Sequence, residues 1–135
     1  MESLHYLLMK AHTTLNRKIV AGVGKLGLTS GQPKVLDYLS RFGERDQKTI
    51  AAYCEIEPAT VGSILIRMEA AGLITRRQRP GNRRSLYVSL TERGREAAAA
   101  LDGVFAAAEK DASRAMSPDE VEALRAALER FCRSA

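Results

Sequence analysis

The chain has 135 residues, 45% of them hydrophobic and 27% charged, with a formal net charge of +5. That size predicts one domain, or one domain with a helical accessory region, and enough apolar surface for a core. No stretch approaches the roughly 18 consecutive apolar residues of a membrane span. Met1-Glu2-Ser3-Leu4-His5 lacks the basic n-region and small-residue cleavage site of a secretory leader, so the expected compartment is the cytoplasm.

In chain order, Leu4, Leu8, Ala11, Leu15 and Ile19 recur at helical spacing, which predicts a helix over 4–22 ended by the glycines at 22, 24 and 27. Thr29 or Ser30 is placed to cap a second helix, with Gln32 reaching back as in a capping box and Pro33 in the first turn. Val35, Leu36 and Leu39 supply its apolar side, and it stops near Phe42-Gly43. A short helix over about 47–54 follows, then the turn Glu55-Ile56-Glu57. A further helix starts at Pro58 and runs to Ala71, with Gly72 at its C-terminal boundary. Here Val61, Ile64, Leu65 and Met68 form the inward stripe.

Beyond Gly72 the period changes from 3.6 to 2. Residues 73–77 and 86–90 read as strands, with 78–84 as a connecting loop longer than two residues and Pro80-Gly81-Asn82 as its turn. Thr91 caps a long alanine-rich helix, and Ser117-Pro118-Asp119-Glu120 starts the last one, whose apolar side is Val121, Leu124, Leu128 and Phe131. The fold class expected is mainly α with a small β-hairpin wing.

Arg76, Arg77, Arg79, Arg83 and Arg84 fall within nine residues without an acid among them. Setting these five aside leaves 16 basic against 16 acidic residues, so the whole excess charge sits on the hairpin. Such a segment is the footprint of a phosphate-binding element, although a charge run is also the ordinary look of a solvated face. Cys54 and Cys132 form neither a disulfide framework nor a metal-ligand spacing. Cys54 reads as a small core residue, and an oxidant-sensing role for either thiol stays open. No nucleophile elbow, phosphate loop or metal cluster is present, so neither an enzyme nor a cofactor is expected.

A short helix, a tight turn, a second helix and then a basic hairpin resemble the MarR family of bacterial winged helix-turn-helix regulators. The resemblance is carried by Thr60 to Arg76, with Glu69, Gly72, Leu73 and Ile74 in the family's Leu-Glu-x-x-Gly-Leu-Ile pattern. It continues through Pro80-Gly81-Asn82-Arg83-Arg84 and the Leu90-Thr91-x-x-Gly94 motif. Two departures stand out. Asn82 replaces a wing aspartate that braces an arginine in the family, and Gly62 and Ser63 replace larger polar residues on the recognition helix.

The resemblance implies a sequence-specific regulator of transcription, a repressor by its usual sign. It would bind a pseudo-palindromic operator as a homodimer and be released by a small ligand or oxidant. The rival reading is a protein-interaction or architectural DNA-binding module without operator specificity. Residues 29–92 would form the DNA-binding lobe, and 1–23 with 93–135 the dimerisation helices.

Projected on a helical wheel, Pro58, Ala59, Thr60, Ser63, Ile66 and Arg67 face outward as the recognition surface. Thr60 and Ser63 are read as contacts to base edges or phosphates, and Ala59 or Ile66 as contacts to thymine methyls. Arg67 is read as a partner for phosphate, guanine or Glu55/Glu57. The wing contacts expected are Arg76, Arg77, Arg79, Asn82, Arg83 and Arg84, with Arg76 or Arg77 available for an internal salt bridge because strand residues alternate faces. Ser30, Gln32, Lys48 and Thr49 are assigned to the DNA backbone. Leu4, Leu8, Leu15, Val121, Leu124, Leu128 and Phe131 form the expected dimer interface, an apolar excess that one small lobe cannot bury. His12, Arg17 and Tyr38, with His5 and Met9 nearby, are the effector candidates. No membrane partner is expected.

Overall fold

The computed structural model describes residues 1–134, except for the side chain of Arg83. Its elements run α1 (Leu4–Lys25), α2 (Gln32–Phe42), β1 (Arg45–Asp46), α3 (Gln47–Cys54), α4 (Pro58–Ala70), β2 (Ile74–Arg79), β3 (Asn82–Leu90), α5 (Glu92–Ala112) and α6 (Pro118–Arg133). They form two compact units. One is Val20–Val104, and the other is Met1–Ile19 together with the chain from Phe105.

The first unit holds the core. Val35, Leu36, Ile50, Val61, Leu65, Met68, Ile74, Val88 and Leu101 are almost completely buried. The inward stripe expected on α4 is therefore the one observed. The backbone signals at the ends of α1 and α4 share one mechanism. Gly27 (φ 74°) follows α1 and Gly72 (φ 78°) follows α4, both in the left-handed region. The next residue in each case returns its N–H to the helix, Leu28 to Val23 O (3.4 Å) and Leu73 to Met68 O (3.0 Å). Leu28 and Leu73 are then buried beside the helix they close, which is the Schellman arrangement.

Three local expectations change. First, α1 does not end at residue 22 but continues to Lys25. A Cβ on Gly22 would lie 2.6 Å from Val104 Cγ1, so this glycine admits a close approach of α5 and leaves helix termination to Gly27. Second, the hairpin loop is shorter than expected. The strands extend to Arg79 and Asn82, which pair with each other, leaving only Pro80-Gly81 between them. Gly81 takes φ 82°, so the Pro-Gly pair closes a tight turn, and a register shift between Arg77 and Arg79 absorbs the mismatch. Third, the sequence reading contained no β1. This two-residue strand pairs with β3 (Arg45 with Val88, Asp46 with Tyr87) and gives an antiparallel sheet ordered β1-β3-β2.

The second unit is built differently. Among its described residues α6 buries none, and Leu124 and Phe131 are exposed with Leu4, Leu7 and Met9. Its helix start is nevertheless well made. Ser117 Oγ accepts from Glu120 N–H (3.2 Å) while Glu120 returns a carboxylate oxygen to Ser117 N–H (2.8 Å), the capping box expected there. Lys18 pairs with Asp111 in the same unit. No helix among the described residues is long and apolar enough to cross a membrane.

Candidate nucleic-acid interface

The helix-turn-helix starts from Asp46, whose carboxylate accepts from Thr49 N–H (3.2 Å) and Thr49 Oγ1 (2.6 Å) and so caps α3. The Thr49 hydroxyl is the main reason that the Asp46 carboxyl lies below the ordinary range, partly offset by desolvation. Helix α3 ends at Glu55, which adopts a left-handed φ of 54° without being glycine and turns the chain into α4. Pro58 occupies the first position of α4, where its missing N–H removes no helical bond.

The outward face of α4 is as the wheel places it. Ala59, Thr60, Ser63, Ile66 and Arg67 are exposed, and Ile66 shows 58% of its surface. Ser63 Oγ sits 3.4 Å from Ala59 O, a long contact that leaves the hydroxyl open to another partner. Arg67 makes no ion pair among the described residues, so neither Glu55 nor Glu57 takes it. Next to this helix, Ser30 and Lys48 are exposed. Gln32 is not available in the same way. It is buried, and its Oε1 accepts from Thr29 N–H (3.1 Å), so it serves the start of α2 rather than a surface contact. No side chain caps α2 from the other direction, because Gly31 stands at the N-cap.

The wing separates its arginines by face. Arg76 points inward, its side chain only 18% exposed. It pairs with Glu69 of α4 (3.1 Å) and donates to Gln47 of α3 (3.1 Å), while its N–H also donates to Glu69 (3.1 Å). Both strand arginines offered for an internal bridge make one, Arg76 to Glu69 on the inward face and Arg77 to Glu44 on the outward face. Arg76 thus ties the wing to the helix-turn-helix. Arg77 and Arg79 lie on the other side and converge on one carboxylate, Glu44, from the segment joining α2 to β1.

Arg79 also lies over the ring of Tyr87, its guanidinium carbon 4.1 Å from the centroid, and Asn82 donates to the Tyr87 hydroxyl (3.3 Å). Asn82 thus braces a tyrosine. Arg84 is exposed and makes no ion pair among the described residues. The expected contact from Arg83 concerns a side chain outside the described residues. Sequence reasoning missed Glu44, Gln47, Glu69 and Tyr87. Glu69 stands in the Leu-Glu-x-x-Gly pattern, which gives no hint of its partner, the other three belong to ordinary-looking stretches, and only the pairing of β1 with β3 brings Glu44 to the wing.

The remaining candidates fall in different surroundings. His12 is exposed and lines a groove of about 1110 Å³ in the second unit, together with Leu8, Leu15, Val121, Leu124 and Leu128. Five of the seven expected interface residues line that one groove, Leu4 and Phe131 being exposed outside its lining. Arg17 is exposed and lies outside the lining. Tyr38 is buried in the first unit among aromatic rings, 5.0 Å from Phe42 and 4.3 Å from Tyr53 between centroids. Cys54 is buried, and burial raises its thiol pKa.

The MarR family model matches residues 28–86, the stretch from the approach to α2 through most of the wing. The HTH-type transcriptional repressor Rv2887 of Mycobacterium tuberculosis is 30% identical over 106 residues, which cover 78% of this chain and 76% of that protein. The chain belongs to the MarR family. Among solved structures, a probable transcriptional regulator from Pseudomonas aeruginosa is 28% identical with a TM-score of 0.83, covering 96% of this chain and 97% of that one. Rv2887 has been solved in complex with DNA (TM-score 0.81, 24% identity, 97% and 98% covered). It has also been solved with salicylic acid (TM-score 0.78, 26% identity, 97% of each chain covered). This MarR-family protein is thus a transcription regulator with a winged helix-turn-helix, its wing completed by a third, two-residue strand.

Proposed function

We propose that this MarR-family protein is a repressor that binds a pseudo-palindromic operator as a homodimer and leaves it when a small aromatic acid binds. The observation that carries the reading is the exposed face of α4, free of ion pairs at Arg67 among the described residues, in the same compact unit as a wing that presents Arg77, Arg79 and Arg84. The recognition helix would enter the major groove through Ala59, Thr60, Ser63, Ile66 and Arg67, and the wing would reach the flanking backbone or minor groove. Ser30 and Lys48 supply exposed groups for the backbone, whereas both Thr49 donors are held by Asp46. Residues 29–92 are the DNA-reading lobe in this scheme.

Dimerisation is supported by the unburied apolar side of α6 and the groove beside it, which a two-fold partner would cover. Two recognition helices would then meet half-sites about 34–36 Å apart. The relative solved with salicylic acid suggests the class of effector, and His12 and Arg17 on α1 are exposed groups suited to a carboxylate.

The test is binding to duplex DNA from upstream of its own gene, beside an unrelated duplex, across a salt series. Preference for the upstream fragment with a steep salt dependence is the expected result. Equal affinity for both would indicate an architectural role, and no binding at low salt would overturn the proposal. A monomer by sedimentation at micromolar concentration would remove the two-fold operator.

A further inference from the structure

The wing carries an acid of its own. Glu44 Oε2 accepts from Arg77 Nε (3.2 Å) and lies 3.1 Å from a second nitrogen of the same guanidinium, and Oε1 accepts from Arg79 (2.6 Å). Its side chain is 17% exposed, against 69% for Arg77 and 49% for Arg79, so the carboxylate sits beneath two outward guanidinium groups. Its place is built by the fold. Gly43, at φ 76°, turns the chain out of α2, and β1 then pairs Asp46 with Tyr87, whose ring carries Arg79. The Glu44 carboxyl lies below the ordinary range, first because Arg79 hydrogen-bonds it and then through Arg77, against a desolvation effect that pushes it up. It is therefore charged at neutral pH.

We propose that Glu44 is an internal counter-anion of the wing: it occupies the donors of Arg77 and Arg79 that a phosphate would take, and so sets the discrimination between operator and bulk DNA. The inference rests on the duplex-binding reading above. Non-specific association is driven by phosphate neutralisation and counterion release. A carboxylate shared by two arginines makes the pair present one net positive charge instead of two, with the donors that face Glu44 engaged and the outward ones left for DNA. An unrelated duplex then gains little from the wing. An operator whose groove fits the prearranged guanidinium groups gains their geometry without having to order two long side chains.

The experiment compares wild type, Glu44→Gln and Glu44→Asp on the upstream and unrelated duplexes across salt. Glu44→Gln keeps the shape and removes the charge. For the unrelated duplex it should steepen the log–log salt slope by about 0.9–1.8 and tighten binding roughly tenfold at low salt. The operator should gain less, so the ratio of the two affinities falls. Glu44→Asp keeps the charge and should retain a slope near wild type. If the glutamine variant fails to fold by circular dichroism, Glu44→Ser provides the same neutral readout.

An unchanged slope in the neutral variants, with wild type binding DNA, overturns this inference and leaves the functional reading standing. Weaker binding to both duplexes at unchanged slope also overturns it, because Glu44 would then only support the wing. Failure of wild type to bind either duplex removes the functional reading and this inference together.

Discussion

Replacing Gly94 with alanine should destabilise the protein, although alanine is the better helix former. Gly94 lies in the first turn of α5, and its N–H donates to Thr91 Oγ1 (3.0 Å). A Cβ there would stand 2.0 Å from the carbonyl oxygen of Leu73 and 3.1 Å from its carbon. That carbonyl cannot swing away freely, because it accepts from Thr91 N–H (3.0 Å) and the Leu73 side chain is buried. The Thr91 hydroxyl is anchored too, donating to Gly72 O (2.6 Å).

Relief of the clash needs about 1 Å of separation between α5 and the end of α4, at an overpacking cost of about 1–3 kcal/mol or more. The strained hydrogen bond adds about 1 kcal/mol, and helix propensity returns about 1 kcal/mol. The expected net loss is about 1–3 kcal/mol or more, read as a fall in the urea midpoint of about 0.5–1.5 M at fixed protein concentration. Gly103→Ala is the control. It lies in the same helix with nothing within 4 Å of an added Cβ, and should be neutral or stabilising. A Gly94→Ala protein within about 0.5 kcal/mol of wild type would refute the close approach of α5 to Leu73.

Four further outcomes are expected. Gly62→Ala meets no atom within 4 Å and should stabilise α4 by about 1 kcal/mol in urea unfolding; a simultaneous tenfold loss of operator affinity would show that the glycine admits the DNA backbone closely. Glu55→Gly relieves the left-handed strain at the end of α3 and should raise stability by about 0.5 kcal/mol, and a loss would count against the turn geometry.

Glu44 and Asp46 have depressed pKa values, so each contributes stability that is present above its unfolded pKa and is lost as pH falls through its folded value. The urea midpoint should therefore stay level from pH 7 to about 5 and fall below about 4, less steeply in Asp46→Asn; a fall beginning above pH 5 would contradict this. Leu124→Glu puts a charge on the exposed apolar side of α6 and should shift sedimentation from dimer to monomer while leaving the circular dichroism spectrum unchanged.

The sequence by itself determined the helices, their order around the hairpin and the outward face of α4. These rest on interactions between residues three or four apart, and on caps and glycines that act within a single turn. Ser117 with Glu120 and Gly72 after α4 are legible for that reason, as is the buried stripe from Val61 to Met68. The tertiary structure alone decided the division of labour among the wing arginines. Arg76 meets Gln47 across 29 positions, and Arg77 and Arg79 meet Glu44 across 33 and 35. No local pattern specifies such a partner, and a strand of two residues is too short to show a period. Likewise, an apolar helix side such as α6 reads the same in sequence whether its cover is its own chain or a second copy. A charge run states how much positive potential a segment carries, and only the packing of β1 against β3 states how much of it is already neutralised.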